Sequence, residues 1–482
     1  MVNPTQPLVQ ASALDALLNI HAAAKSGYDD LENWWTGKQK VILTDRLKQF
    51  LASLNPANVE FADNYCEVIV AAVSDRLNVT GFTVPGEAPG VGTTPGERIP
   101  GPLAQFAVDT WQQNRSDALQ LKVHDAALAL GDAFVLVEWD AALARPCFYY
   151  NDPRAVRIHY DPMHSDRAEF ATKAWDIKLE RGLATRLNVY RPNEITRWIR
   201  NGEVAGGTWR PFADDEYGAV IDWTMPDGTP IGIPIVHFAN GQRGATQYGR
   251  SELLPAIPLQ RVVNKALHDG IRNSDSQGWP QRYATGVVSS TANINADPGS
   301  LWEVEEKEAR FGQLDPASPQ GVIDWLNKVQ EDIATITRTP QHMFRVTGGY
   351  PSGEALKTAE APLVKKVERR QVQFGNGWED VMALAARLAI ANGALPAQEI
   401  PDTGYSCQWD AAETRPGELD HILAVNAKQG VSTKQRLREY GYSDEEIERM
   451  EEERANEPDL AAEALAKALD GGNGAFGGQG QP

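Results

Sequence analysis

The stretch HYDPMHSD, residues 159–166, holds the side chains best suited to binding a metal ion. His159 and Asp161 alternate along a predicted strand and share a face, while His164 and Asp166 follow just beyond a turn. Imidazole and carboxylate groups are common ligands of divalent metal ions. A metal-dependent hydrolase using His159, Asp161 and His164 is therefore one hypothesis. A polar strand end is far commoner, and we predict neither a metal nor catalytic residues.

A basic cluster follows later in the chain, at Lys365, Lys366, Arg369 and Arg370. These side chains could meet phosphate groups, but a solvated or intersubunit face is the favoured interpretation. The sequence has no phosphate-binding loop of the form G-x-x-x-x-G-K-[ST] and no G-x-S-x-G motif around Ser352. We therefore predict a protein without enzymatic activity and without a cofactor.

The basic cluster lies on a long predicted helix that follows the glycine-rich segment QHMFRVTGGYPSG. Ser352 is placed to cap the N-terminus of this helix. Pro362 lies too deep to be the first helical residue, so it should remove a hydrogen bond and bend the helix. Gly375 and Gly377 are expected to soften the helix again. The alternative is two shorter helices that meet at Pro362.

The composition bounds the class of protein. A chain of 482 residues exceeds the size of a single core, so two to four structural units are expected. Three scattered cysteines exclude a disulfide scaffold and suit a reducing compartment. The sequence lacks a secretory signal and any apolar run long enough to span a membrane, which predicts a soluble intracellular protein. A net charge of −19 argues against tight DNA binding but allows the protein to surround DNA.

The first 130 residues read as helices, interrupted at 85–102 by a segment rich in proline and glycine that predicts a mobile loop. One long helix is expected after this loop, ending near Leu130 at Gly131. From Ala133 to Asn240 the pattern changes to strands joined by short turns. This order predicts an α+β fold with a mainly antiparallel sheet.

Two matched helices come next, and each should be about 30 Å long. The first spans roughly 258–277, and the second begins after Ser318 and Pro319, which suit the cap and first position of a helix. About forty residues of predicted short strands and turns separate them. This arrangement predicts a stalk of two helices with a small module at its tip, a shape that suits a protein that must reach a partner.

Six segments carry a resemblance to a known family. They are VSDRLNVTGF (73–82), NDPRAVRIHYDP (151–162), PIVHFANGQRGATQYGRSEL (234–253), GWPQRYATG (278–286), YPSGEALK (350–357) and KQGVSTKQRLREYGYSDEEIE (428–448). Their order and spacing over most of the chain resemble portal proteins of tailed double-stranded DNA bacteriophages, in the siphophage branch common among phages of actinobacteria. No single segment is specific, but six in order are hard to obtain by chance.

The resemblance implies a ring of about twelve subunits at one capsid vertex, a structural component of the virion that is assembled in the host cytoplasm. The ring would conduct double-stranded DNA during packaging and ejection. It would contact the terminase large subunit, the head–tail adaptor, the major capsid protein and scaffolding protein, and no membrane. A structural adaptor without a channel remains an alternative.

The resemblance also implies a portal fold with a wing of helices and sheet, a two-helix stem, a small α/β clip, a long kinked wing helix and a helical crown. The corresponding segments are 1–249 (wing), 250–276 (descending stem helix), 277–318 (clip), 319–340 (returning stem helix), 341–352 (tunnel loop), 353–412 (kinked helix and strand of the wing), 413–470 (crown) and 471–482 (disordered tail). The candidate DNA-facing residues of the tunnel loop are Gln341, His342, Arg345, Thr347, Gly348 and Gly349.

Overall fold

The computed structural model describes residues 11–39, 62–85, 101–396 and 404–412, together with the single residues 49, 434 and 447. Inside the third range it leaves out 165, 180–181, 202–207, 215–216, 243–245, 279–281, 287–307, 309, 314–319 and 345–352. The chain divides into two compact units, Met1–Ala412 and Glu413–Pro482. All the elements below belong to the first unit. Residues 86–100 of the loop predicted at 85–102 lie outside the described residues, as do the tail and the crown apart from Lys434 and Ile447.

The described part of the chain contains helices and strands in the predicted order. The helices are α1 (Ala11–Trp35), α2 (Tyr65–Ser74), α3 (Pro102–Gln113), α4 (Ser116–Leu130), α5 (Ile257–Gly278), α6 (Gln320–Thr337) and α7 (Gly353–Ala391). The strands are β1 (Val79–Thr83), β2 (Asp132–Asp140), β3 (Arg145–Asn151), β4 (Val156–Tyr160), β5 (Ala168–Leu179), β6 (Gly182–Tyr190), β7 (Glu194–Asn201), β8 (Arg210–Pro211), β9 (Val220–Asp222), β10 (Ile235–Ala239), β11 (Arg282–Thr285), β12 (Arg310–Gln313) and β13 (Ser406–Trp409). A short 3₁₀ turn, Gln341–Met343, lies between α6 and α7.

Every strand pair among these elements is antiparallel, which confirms the α+β class. One sheet has the order β10-β2-β3, and a larger sheet has the order β4-β5-β6-β7-β8 with β9 beside β7. The strands β1 and β13 pair with each other, as do β11 and β12. Because β2 is buried on both faces from Ala133 to Val137, it lacks the alternation of the exposed strands.

The main hydrophobic core lies around the three-stranded sheet, where α4 and α7 pack against β2 and β10. Its largest fully buried side chains include Phe134, Phe238, Phe374 and Trp378. Burial of an aromatic side chain of this size contributes about 2 to 3 kcal/mol to the free energy of folding. This core fixes the position of the long helix α7 relative to the sheet.

The predicted single helix before Gly131 is two helices, so this prediction was wrong. The chain breaks after α3 at Asn114, and Arg115 takes a left-handed conformation with φ 50°. The Asn114 amide donates to the carbonyl of Pro146 (3.0 Å) and accepts from the backbone N–H of Phe148 (2.9 Å). These bonds to β3 compensate for the broken helix. Gly131 ends α4 as predicted, with φ 98°.

The long helix α7 is continuous over 39 residues with Pro362 inside it, so the alternative of two shorter helices was wrong. Its bend stays a prediction. Gly375 and Gly377 serve packing: a Cβ atom at Gly377 would lie 2.8 Å from Phe238 Cε1, and one at Gly375 would lie 3.2 Å from Trp409 Nε1. Close approach therefore explains glycine at both positions, and the expected softening of the helix stays a prediction.

The two matched helices are present as α5 and α6, which pack side by side. Val263 of α5 and Val329 and Ile333 of α6 are buried in a separate small core. The strands β11 and β12 belong to the segment that joins the two helices, and they form an antiparallel pair.

Candidate functional site

The C-terminal end of α6 is fixed to the long helix by one buried lysine. Lys366 Nζ donates to the carbonyl oxygen of Thr337 at 3.0 Å, and the next residue, Arg338, takes a left-handed conformation with φ 57°. The Thr337 hydroxyl also bonds to the carbonyl of Ile333 (2.7 Å). The helix end that leads into the candidate loop is therefore held through α7.

Two of the six predicted DNA-facing residues lie within the described chain, both in the 3₁₀ turn. Gln341 is exposed, with Nε2 at 3.5 Å from Glu331 Oε1. His342 is half-buried, and its Nε2 lies 3.4 Å from Glu360 Oε1. Arg345, Thr347, Gly348 and Gly349 lie outside the described residues, as does the proposed cap Ser352.

Glu360 of α7 contacts both this 3₁₀ turn and Arg76, which follows α2. Its second carboxylate oxygen lies 3.2 Å from Arg76 Nη2, and Arg76 Nη1 donates to the carbonyl of Ala412 (3.2 Å). Because the buried Glu360 contacts both Arg76 and His342, the start of α7 is tied both to the turn before it and to the segment after β13.

A second buried ion cluster lies further along α7. Glu252, from the segment before α5, contacts Lys366 Nζ at 2.9 Å and Arg370 Nη2 at 2.6 Å. The three side chains are only 12%, 7% and 14% exposed. Burial alone would raise the pKa of Glu252, but the two cations outweigh it and lower this pKa to about 2. Burial lowers the pKa of Lys366, Glu252 offsets only part of that effect, and the nearby Arg370 and Arg338 lower this pKa further.

The basic cluster of the long helix is thus split between two environments. Lys365 and Arg369 are exposed, and within the described chain Lys365 forms an ion pair with Glu368 on its own helix (2.7 Å). Lys366 and Arg370 point inward to Glu252. The prediction of a solvated or intersubunit face was wrong for this inward pair. Their partner Glu252 lies far away in the sequence, so the local pattern did not indicate that they are buried.

The stretch HYDPMHSD, for which a metal site was only an alternative hypothesis, does not bring all three of its candidate ligands together. His159 Nε2 lies 3.1 Å from Thr172 Oγ1, and the His159 ring stacks on Phe170. Burial lowers the pKa of His159 to about 4. Asp161 accepts from the backbone N–H of Met163 and lies 3.3 Å from His164 Nδ1, which is the pattern of a turn.

Sequence reasoning missed a buried polar network that resembles a hydrolytic triad. Asp132 accepts from His237 Nε2 at 2.7 Å and from the Gly249 N–H at 2.6 Å, and the Tyr28 hydroxyl donates to its other oxygen at 2.7 Å. Because Nε2 of His237 donates to the carboxylate, Nδ1 accepts from the Tyr160 hydroxyl (2.7 Å). The residue patterns of β2 and β10 gave no signal for this long-range contact.

This network is structural. The side chains of Asp132 and His237 are only 3% and 5% exposed, and the His237 ring stacks on Phe134. Burial and the nearby charges raise the pKa of Tyr160, so its hydroxyl stays protonated and is a poor nucleophile. The network joins α1, β2 and β10 with the segment before α5.

Two further features of the described residues bear on other functions. In the described ranges, no group of three or more His, Cys, Asp or Glu side chains is arranged to hold a metal ion. Among the helices of the same ranges, none is long and apolar enough to cross a membrane.

Comparison with known proteins gives a consistent result. The family model described as "Phage portal protein, SPP1 Gp6-like" matches residues 14–459. The chain is 25% identical over 424 residues to the portal protein of Mycobacterium phage D29, and the match covers 81% of this chain and 79% of the relative. The portal protein of Mycobacterium phage L5 matches with the same identity and coverage.

Proposed function

Because the chain belongs to the SPP1 Gp6-like family of phage portal proteins, we propose that about twelve copies form a ring that conducts double-stranded DNA. The portal role follows from the family match over most of the chain, and phage portal proteins are structural parts of the virion capsid. The number of subunits, the path of the DNA and the individual partners belong to the proposal.

The observation that best supports a ring is the set of exposed apolar side chains of α6, which lie on either side of its buried face. Ile323, Trp325 and Ile336 are 46%, 55% and 46% exposed, although α6 already buries Val329 and Ile333 against α5 and its surroundings. A helix with apolar residues on two faces needs a second partner. A neighbouring copy of the chain supplies one in a cyclic assembly.

A groove beside Trp325 adds to this argument. It has a volume of about 240 Å³ and lies between α5 and α6, lined by Val262, Ala266, Val322 and Trp325 together with Lys265 and Asp269. Mixed apolar and charged lining suits an interface between subunits, because the apolar part gains from burial and the charges fix the register.

The test compares two exposed apolar residues. Trp325→Glu would place a charge in the proposed interface, so rings should be lost while the melting temperature of the subunit stays unchanged. Met163→Glu is the control, because Met163 is 86% exposed in the turn after β4, away from α5 and α6. Mass measurement and negative-stain images report assembly and the central hole. A parent protein that stays monomeric, or rings without a hole, would favour an adaptor without a channel.

The segment 341–352 is proposed to be the loop that faces DNA. It follows the helix end held by Lys366 and precedes α7, whose start is held through Glu360. Replacing Gly348 and Gly349 together with alanine should restrict the loop without removing a helix. Packaged DNA per particle should then fall while ring yield is unchanged. Loss of rings would instead identify the segment as a structural turn.

The segment 277–318 is proposed to dock the terminase large subunit and the head–tail adaptor. In its described part, Tyr283 of β11 and Phe311 of β12 are 49% and 45% exposed. Large exposed aromatic side chains are favoured at protein interfaces. Deletion of 277–318 should abolish docking and leave the sheets folded, as measured by pull-down and circular dichroism. The major capsid and scaffolding proteins are further proposed partners of the ring.

A further inference from the structure

A cavity of about 540 Å³ lies where four segments of the first unit meet. Its walls come from the turn after β10, the segment 250–255, the last residues of α6 and the stretch of α7 from Lys366 to Gln373. The volume lies in the range of small-ligand sites in proteins.

The lining of this cavity is strongly basic. Its charged residues are Arg250, Glu252, Arg338, Lys366, Arg369 and Arg370. Five cations therefore face one carboxylate, and that carboxylate is already engaged by Lys366 and Arg370. The excess of positive charge is notable in a chain whose net charge is −19.

The other three cations lack a partner in the described structure. The side chains of Arg250, Arg338 and Arg369 are exposed, and none makes an ion pair or hydrogen bond to a described residue. Like charges collected in one cavity repel each other, and an anion bound among them relieves that repulsion.

The inner guanidinium is held in place with unused bonding capacity. Arg370 donates to Glu252 (2.6 Å) and to Gln373 Oε1 (3.0 Å), and Gln373 Oε1 also accepts from the Gly241 N–H (3.3 Å). A Cβ atom at Gly241 would lie 2.8 Å from Arg370 Nη2, so glycine makes room for this arrangement. Arg370 Nε is buried and has no hydrogen-bond partner among the described residues.

We propose that this cavity binds an anionic phosphate group. Guanidinium groups match the geometry of phosphate oxygens, and several of them converge here on one volume. The described lining contains no Phe, Tyr or Trp, so it offers no ring on which a nucleobase could stack. The anion is therefore a free phosphate or a backbone phosphodiester. The inference rests on the cavity and is independent of the ring.

The test is isothermal titration calorimetry, in which sodium pyrophosphate is added to the full chain. Arg338→Gln combined with Arg369→Gln should weaken binding by about tenfold or more, because two charge-assisted hydrogen bonds are lost. Neither side chain has a described partner, so the melting temperature should not change. Arg115→Gln is the matched control, because Arg115 is also an exposed arginine with a left-handed backbone (φ 50°), located far along the chain between α3 and α4.

A second arm identifies the source of the phosphate. Binding of a short DNA duplex of mixed sequence is measured by fluorescence anisotropy for the same variants. If the double variant binds the duplex more weakly and the parent protein does not bind pyrophosphate, the ligand is a backbone phosphodiester. If the parent protein binds pyrophosphate and the double variant binds the duplex as tightly as the parent does, the ligand is a free phosphate. The proposal is overturned if the parent protein binds neither, or if the double variant binds both as tightly as the parent.

Discussion

The two halves of the long helix α7 are held by different interactions. The half that ends at Arg370 is tied by ion pairs, through Glu360 to Arg76 and through Lys366 and Arg370 to Glu252. The following half is tied by rings: Trp378 and Phe374 pack against Phe238 of β10 and His124 of α4.

This difference shows how one helix can serve two structural roles. Apolar packing is non-directional and distributes its stabilisation over many contacts, so the ring-packed half is a fixed base. Buried ion pairs are directional, and removing one partner leaves a charge without compensation. The charged half lies next to the proposed DNA-facing loop, where each pair defines a discrete arrangement of the helix end.

The largest effect is expected for Trp378→Ala, in the ring-packed half. Trp378 is fully buried, and its Nε1 donates to His124 Nε2 at 2.9 Å. Its removal should lower the free energy of unfolding by about 4 kcal/mol. Urea denaturation followed by circular dichroism measures the loss. The role of Trp378 as a buried anchor of this half is contradicted if Trp378→Ala costs no more than Trp325→Ala on α6, whose indole is exposed.

Adjacent lysines test the charged half. Lys366→Gln should lower the free energy of unfolding by about 3 kcal/mol, because the buried Glu252 loses one cation and the Thr337 carbonyl loses its donor. Lys365→Gln should change the stability by less than about 0.5 kcal/mol, since its pair with Glu368 is exposed. Denaturation of both variants under the same conditions gives the difference, and equal losses would contradict the inward position of Lys366.

The pH dependence should separate the halves. Burial lowers the pKa of His124 to about 3, so below pH 6.5 the unfolded chain takes up this proton first and stability decreases with falling pH. The loss from this group between pH 6.5 and 4.5 is about 2 to 3 kcal/mol. The pKa of Glu252 is lowered to about 2, so its contribution is present above pH 4.5 and is lost only as the pH falls further.

His124→Gln checks this assignment, because the amide can keep the bonds to Trp378 and to the carbonyl of Leu77 without titrating. Denaturation at pH 6.5 and 4.5 should show a smaller decrease for the variant than for the parent protein. An identical decrease would mean that the ring-packed half is not the source of acid sensitivity in this range.

Apart from the controls, the smallest loss of stability is expected when a methyl group is added at Gly377. Gly377→Ala should lower the free energy of unfolding by about 2 kcal/mol, because the new Cβ would meet the Phe238 ring. Gly27→Ala is the control within α1, where a Cβ would contact nothing within 4 Å. That control should gain about 0.5 to 1 kcal/mol from helix propensity. A loss in both variants would point to the helices and not to the contact.

The order of helices and strands was predictable because it depends on local periodicity. The alternation along β5 to β7 and the three- and four-residue spacing along α5 and α6 each report a face that must be buried. The break at Asn114 was not predictable, since neither proline nor glycine marks it. It depends on bonds to β3, which a local pattern does not contain.

The site was harder to predict for the same reason. Arg370 and its partner Glu252 lie 118 positions apart, so the sequence shows only a basic cluster on a helix. The residues next to Gly377 in the sequence likewise do not indicate its contact with Phe238. Sequence patterns identify the side chains that could do chemistry. Whether such a side chain is buried depends on partners from distant segments.

The pairing of β1 with β13 has a consequence for the order of events during synthesis. The side chains of Thr83 and Gln408, in adjacent strands, are 325 positions apart in the chain. At typical elongation rates of about 5 to 20 residues per second, β1 waits tens of seconds on the ribosome before its partner is made. During that interval its backbone N–H and C=O groups form an unpaired edge. Truncated chains that end before Ser406 should therefore aggregate, and subunits become competent to associate only when translation is nearly finished.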